Sequence, residues 1–393
     1  MEPKRKMIVQ IITRLALGGA QQIVCELSTR LKESGEDVVI FTGLSNTESE
    51  GSINNNIILN KIVEKGVPTK ICKYFRNSIS PLNDILSIYW LVKHLRMLKP
   101  DVVHIHSSKA GILGRVACKL AKIDRVIYHV HGWSFSSSFG INKKLYLFLE
   151  KLFFYLTDYY IFVCKQDIDD FIRYGGNKKI KARSSIIYPG ADFTSLQDVK
   201  TNREALREDL GIGKEDFVIG SVARVDYQKN PLFFFRFAAL YSKIDKNAKF
   251  LWIGDGALLD EVNALIEAEG ISDRIILPGY IPDVEKYYGV FDLFSITSRY
   301  EGLPVTCIKS LAAEVPVIGF LKNGMVDLHE KFDSFFGVPF GDMDLFIQTV
   351  EKAKIFANNG ANILQKESEF VRNNWSMDSM YSDVISLYDQ EFL

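Results

Sequence analysis

At 393 residues the chain exceeds what one ordinary hydrophobic core supports, so two domains of about 150–200 residues are expected. A composition 47% hydrophobic and 24% charged excludes disordered and fibrous classes. The formal net charge of zero hides an asymmetry: residues 1–196 carry 28 Lys+Arg against 17 Asp+Glu, and residues 197–393 carry 20 against 31. The first half therefore suits an anionic surface or substrate, phosphate groups or a membrane leaflet, unless the two halves simply attract each other.

The N-terminal MEPKRKMIVQIITRLALGGA has the basic-then-apolar order of a signal peptide, but Arg14 interrupts the apolar run, so a buried strand and a glycine loop are expected instead. Apolar runs MIVQII, DVVIFT, DVVHIH, RVIYHVH and YYIFVC then alternate with amphipathic stretches such as 20–33 and 82–98, the pattern of strand–helix units around a parallel sheet. The segment KKLYLFLEKLFFYLTDYY, 143–160, predicts one long helix whose apolar residues spread wider than a core-facing stripe, with Lys143, Lys144 and Lys151 among them. It reads either as a membrane-interface helix or as a buried helix of the domain. A polar, charged segment, 197–210, suits an interdomain connection, after which FVIGSVA, KFLWIG, RIILPG, LFSIT and VPVIGF restart the α/β pattern. No window reaches the roughly 18 apolar residues of a membrane span. Five cysteines, at 25, 72, 118, 164 and 307, lack metal-finger spacing and suit a reducing, cytoplasmic setting.

Four stretches carry candidate chemistry. Gly18 and Gly19 follow the first strand and precede a helix, where backbone N–H groups can approach an anion; a tight turn needs glycine equally. The spacing is neither that of a dinucleotide fingerprint nor of a phosphate-binding Walker loop. Two H-x-H pairs, His104 with His106 and His129 with His131, end two strands and put like-facing imidazoles together. They can bind a substrate by hydrogen bonds, hold a metal, or pack; His131, last before Gly132, is best placed for a ligand beyond a strand's carboxyl end. In SVARVDYQKNPLFF, Arg224 and Lys229 lie between a strand and a helix and can converge on a diphosphate, or form a solvated loop. In SRYEGLPVTCIKSLAAEVPVIG, Pro304 suits a helix start, N–H groups of Gly302 and Leu303 can meet an anion, and Glu301 can accept from sugar hydroxyls or face the helix dipole.

These stretches, in this order, resemble the family 4 retaining glycosyltransferases of GT-B fold, and within them the capsular and exopolysaccharide branch with its KPDVVHIHSSKAGILGR and HVHGWSF style of first domain. The most specific part is LPGYIPDVEKYYGVFDLFSITSRYEGLPVTCIKSLAAEVPVIG. The resemblance implies two Rossmann-like domains facing each other across a cleft: an acceptor-side domain at 1–196, a nucleotide-sugar domain at 197–376, and a last helix, 377–393, returning to the first. It implies a hexosyltransferase that needs neither metal nor cofactor, using a nucleotide diphosphate sugar, UDP-linked, as co-substrate. Gly18 and Gly19 would face the diphosphate, His131 the transferred sugar, Arg224 and Lys229 the leaving group, Glu301 with Gly302, Leu303 and Pro304 the donor sugar, and Pro278, Gly279, Tyr280 and Ile281 the base. The implied acceptor is a lipid-linked or growing surface polysaccharide, at the inner face of the cell membrane, with no nucleic acid involved.

One departure stands out. At Lys309, eight positions after Glu301, the family has a second glutamate that accepts from the ribose hydroxyls, and at Glu314 it has a glycine. An ammonium donates but does not accept. The chain is then either an enzyme without that clamp, Lys309 itself donating to ribose or phosphate, or an enzyme with an unusual donor, or a weak or silent subunit supporting a partner glycosyltransferase.

Overall fold

The computed structural model describes residues 5–16, 18–44, 57–138, 140–197 and 199–390. Residues 1–4 of the basic N-terminus, Leu17 of the glycine loop and 391–393 of the expected last helix lie outside this set.

The chain divides into two compact units, residues 1–189 with 380–393, and residues 190–379. Residues 190–196, assigned by sequence to the first domain, count with the second. In the first unit, strands β1 (Met7–Arg14), β2 (Asp37–Gly43), β3 (Thr69–Cys72), β4 (Val102–His106), β5 (Val126–Val130), β6 (Tyr159–Phe162) and β7 (Ser184–Ile186) form a parallel sheet in the order 3-2-1-4-5-6-7. Continuous apolar runs make the central strands because both faces of the sheet are covered, as parallel sheets require; Ile8, Ile11, Val102, Val103 and Ile127 are fully buried. In the second unit, β8 (Phe217–Val222), β9 (Ala248–Ile253), β10 (Ile275–Gly279), β11 (Leu293–Ile296), β12 (Val317–Phe320) and β13 (Phe335–Val338) pair in the order 10-9-8-11-12-13, again parallel. Its core is unusually aromatic, with Phe234, Phe237, Phe250, Trp252 and Phe346 buried together.

Two sequence expectations need correction. The segment 143–160 is not one helix: the helix Gly140–Leu152 ends, a 3-10 turn Phe153–Leu156 follows, and Tyr159 already opens β6. The segment 197–210 is not a bare connection, because it holds the helix Arg203–Asp209. Its two arginines explain why: Arg203 and Arg207 each reach one oxygen of Asp292 at 2.5 Å, and Arg207 also donates to the backbone oxygen of Val290. These two positive charges are turned inward and paired, while Glu204, Glu208 and Asp209 stay exposed.

The last helix, Met377–Asp389, crosses the division, since its residues from Met380 onward belong to the first unit. Among the described residues no helix is long and apolar enough to cross a membrane.

Candidate active site

In each sheet all strands run the same way, so residues just past their carboxyl ends gather along one edge, where open α/β sheets bind ligands. In the second unit that edge carries the expected residues. The loop after β8 holds Arg224 and Lys229, and Asp226 between them organises it: its Oδ2 accepts from Arg224 Nε at 2.7 Å and its Oδ1 from the Lys229 N–H at 3.0 Å. Asn230 closes the loop in the left-handed conformation (φ 56°), its side-chain amide donating to the Thr297 carbonyl at 3.1 Å. That bond ties the loop to the one after β11, and Gln228 adds a second tie through the Tyr300 carbonyl at 3.1 Å.

The effect is to bring Lys229 Nζ within 2.5 Å of Glu301 Oε1, a pair 17% and 9% exposed at the side chains. Arg224, by contrast, is about half exposed, a cation available to a ligand. The end of β9 closes in from the other side through glycine. A Cβ on Gly254 would lie 2.0 Å from the Ala223 carbonyl oxygen and one on Gly256 2.4 Å from that of Val225, so no other residue fits without moving the cation-bearing loop. Gly254 N–H also donates to the Gly279 carbonyl at 2.9 Å, which sets Pro278, Gly279, Tyr280 and Ile281 beside the same edge, with Tyr280 exposed.

Pro304 is the cap of the helix Val305–Ala312, and Leu303 is buried behind it. Lys309, in the last turn of that helix, forms an ion pair with Glu285. Glu314 adopts φ 59°, a conformation that suits glycine, and pairs with Lys200. The backbone shape is therefore kept without the glycine.

In the first unit, Gly18 caps the helix Gly19–Glu33 with no side-chain cap and no acidic residue in its first turn, which leaves a positive helix end. The four histidines form one stacked cluster: ring centroids of His104 and His106 lie 4.2 Å apart, as do those of His129 and His131. Of the readings left open for these histidines, packing fits His104, His106 and His129, which are buried, and only His131 is partly exposed. Burial disfavours the charged form and holds all four neutral, His104 pushed down to about 3. His104, His106 and His129 bring a nitrogen each within 4.8 Å of one another. Among the described residues no carboxylate or thiolate joins them, and both nitrogens of His106 are engaged, by His131 at 3.0 Å and Gln10 at 2.6 Å.

Asp226, Gln228, Asn230, Glu285 and Gln10 were not singled out in the sequence. Each acts by holding another side chain or loop, and such a role has no spacing signature. The R-x-D-x-Q-K-N density of polar groups between β8 and the following helix was the one available signal for the first three.

Two parallel-sheet domains, with cations and a carboxylate at a strand-end edge, define a GT-B glycosyltransferase. The chain belongs to that family: residues 17–195 match the family described as Glycosyltransferase Family 4, and residues 202–356 match Glycosyl transferases group 1. It is 29% identical to the UDP-Gal:alpha-D-GlcNAc-diphosphoundecaprenol alpha-1,3-galactosyltransferase of Escherichia coli over 81% of this chain and 83% of that protein. It is 26% identical to the alpha-monoglucosyldiacylglycerol synthase of Acholeplasma laidlawii over 81% and 79%. Anabaena Alr3699/HepE, solved in complex with UDP and glucose, shares the fold with a TM-score of 0.81 at 16% identity, covering 98% of this chain and 100% of that one. The chain is thus a transferase that uses a nucleotide sugar.

Proposed function

We propose that the enzyme transfers a hexose, with retention of anomeric configuration, from a UDP-linked sugar to a hydroxyl of a lipid-linked, growing surface polysaccharide, without a metal. The observation that carries this reading is the Lys229–Glu301 pair beside Arg224, held on loops tied to each other. Lys229 and Arg224 supply two cations for a departing diphosphate, in the role a metal ion otherwise fills. Glu301 keeps one carboxylate oxygen for sugar hydroxyls while its other oxygen fixes Lys229. Pro278, Gly279, Tyr280 and Ile281 lie along the base, Gly18 and Gly19 offer helix-end N–H groups to phosphate, and His131 meets the transferred sugar. In retention the leaving phosphate takes up the acceptor proton on the face it departs from.

Lys309 does not abolish this reading. Its ammonium is already paired, and the pair brings in a carboxylate, Glu285, which we take as the acceptor for ribose hydroxyls in place of the absent glutamate. The rival reading, a silent subunit supporting a partner enzyme, rests on Lys309 and Glu314. Both are accommodated in the fold by ion pairs.

The acceptor side is read from the first unit. On the helix Gly140–Leu152, Ile141 (82% exposed), Leu145, Phe148 (60% exposed) and Leu152, with Tyr155 beyond, recur at helical spacing as an exposed apolar stripe. The one acidic residue of that helix, Glu150, is withdrawn into a buried pair with Arg115, so the charges left near the stripe are Lys143, Lys144 and Lys151. The helix Pro81–Leu98 exposes Leu82, Ile85 and Tyr89, and right-handed crossovers put both helices on one face of the sheet. This face suits an anionic bilayer surface, where a lipid-linked acceptor resides, on the cytoplasmic side.

The test is thermal stabilisation by UDP-, GDP-, ADP-, CMP- and dTDP-sugars in EDTA, with flotation on phosphatidylglycerol vesicles in parallel. A nucleotide at a hundredfold excess over its Kd adds about 2.7 kcal/mol. UDP-sugars are expected to stabilise the wild type and not Lys229→Ala. No response to any nucleotide, or turnover only with a second chain, would favour the silent subunit; failure to float would remove the membrane-bound acceptor.

A further inference from the structure

The strand order of the second unit lays out its ligand-edge residues in a line. With the sheet running 10-9-8-11-12-13, Pro278, Gly279, Tyr280 and Ile281 lie at the end of β10, on one margin; Arg224 and Lys229 follow β8, and Arg299 and Glu301 follow β11 beyond them. Lys322 follows β12, the next strand again, two strand spacings or about 10 Å from β8. A nucleotide diphosphate sugar is itself a line of base, ribose, diphosphate and sugar. With the base at β10 and the diphosphate at β8, the group that extends toward β11 and β12 is the sugar.

The charges at that far end differ from those nearer the base. Arg224 is paired with Asp226, Lys229 with Glu301 and Lys309 with Glu285. Arg299 and Lys322 meet no carboxylate among the described residues, and aromatic rings hold them instead. The Arg299 guanidinium lies 4.4 Å from the centroid of the Tyr227 ring, and its Nε donates to the Tyr227 carbonyl at 3.1 Å. Lys322 Nζ lies 3.6 Å from the centroid of the Phe340 ring and donates to the Arg299 carbonyl at 3.1 Å. A ring face positions a cation without neutralising it, and both groups keep donors to spare, the Arg299 Nη groups among them. Both side chains are half-buried, and burial, with the charge of Arg299, lowers the Lys322 pKa. An anion beside them would relieve both effects.

The backbone fixes where the two cations stand. Gly324 N–H donates to the Gly302 carbonyl at 2.9 Å, and a Cβ on Gly324 would lie 2.3 Å from that oxygen, so the loop of Lys322 is pressed against the residue next to Glu301. Arg299 N–H donates to the Gln228 carbonyl at 2.8 Å, which ties the other cation to the loop of Lys229.

The geometry points to Arg299 and Lys322 as an anion subsite for the transferred sugar, which carries a carboxylate as a hexuronic acid does. Glu301 accepts from the sugar hydroxyls, and the two cations beyond it take the carboxylate, Arg299 through its Nη groups. A neutral hexose would leave both charges uncompensated. The inference rests on the placement of base and diphosphate proposed above and narrows the hexose to its acidic form.

The test is titration calorimetry of the full-length protein in EDTA with UDP, UDP-glucose, UDP-glucuronic acid, UDP-galactose and UDP-galacturonic acid. At least one acidic donor is expected to bind about ten- to a hundredfold tighter than the neutral donor of the same configuration, the worth of one charge-assisted hydrogen bond. That ratio should fall toward one in Lys322→Gln and in Arg299→Gln, while Lys322→Arg, which keeps the charge, should retain most of it. Binding of UDP shows that each variant is folded, and the wild-type ratio decides even where a variant is not. Neutral donors binding as tightly as acidic ones to the wild type would overturn the proposal and leave the donor site in place. A ratio unmoved in a UDP-binding Arg299→Gln, Lys322→Gln double variant would overturn it too. If the wild type binds no UDP, the reading of this edge as the donor site fails, and the acidic sugar with it.

Discussion

Lys309 and Glu285 form the most informative contact at the scale of single residues. Because the ammonium is committed to Glu285, the obvious reversion Lys309→Glu does not rebuild a family-like site; it sets two carboxylates against each other. The side chains are largely but not fully enclosed, so the change should destabilise on the order of 1 kcal/mol and weaken UDP binding. Lys309→Glu combined with Glu285→Lys should recover most of the stability, measured as the midpoint of urea unfolding; a single reversion more stable than the swap would show that the pair does not matter. The position was legible in the sequence, as a cation where an acceptor belongs. Its partner was not, because Glu285 sits on the 3-10 segment Val284–Val290, and an ion pair between separate segments leaves no mark in the spacing of either.

At the scale of elements, the helix Gly140–Leu152 is pinned as well as packed, with Tyr146 and Leu147 against the core of the first unit. Its apolar stripe faces outward, and what anchors it is Glu150, whose Oε2 meets Arg115 Nη2 at 2.7 Å with the guanidinium stacked 4.5 Å over the Tyr128 ring. Gly111 makes room for this, since a Cβ there would run into that same ring, and its carbonyl accepts from Arg115 Nε at 2.6 Å. Glu150→Ala would leave a buried, uncompensated guanidinium and is expected to cost about 3–5 kcal/mol, read from the unfolding midpoint of the first unit. A loss below about 1 kcal/mol would mean that the charge finds water. Elements like this explain what could be read beforehand. Long apolar runs such as those of β1, β4, β5, β8 and β9 announced themselves, because a strand buried on both faces must be apolar throughout. The short edge strands β3 and β7, with sequences TKIC and SSI, carry no such run and were missed. The helix Arg203–Asp209 was taken for linker because its two arginines are satisfied by Asp292, a residue far along the chain.

At the scale of the whole molecule, acid should separate the two units. The first contains His104, His106, His129 and His131, all held neutral by burial, whereas the second contains only His329. Unfolded histidine takes up a proton near pH 6.5. Below that value the unfolded first unit binds protons that the folded one refuses, so its stability is full above about pH 6.5 and falls as pH drops, by about 1.4 kcal/mol per pH unit for each histidine. Four together come to about 5.6 kcal/mol per unit of pH. Calorimetry at pH 7.5 and 5.5 should show the transition of the first unit moving down sharply while that of the second holds; two transitions moving in parallel would contradict this account.

The last helix adds a matter of timing. Because residues from Met380 onward belong to the first unit, a ribosome completes residues 190–379 before it delivers Tyr388, the partner of Gln10 and His104. The second unit can settle during synthesis, but the first must wait with its histidine cluster open until residues 380–390 emerge. The newborn chain therefore completes its second unit early, and its basic, apolar-faced half acquires its finished interior only once Tyr388 has been delivered.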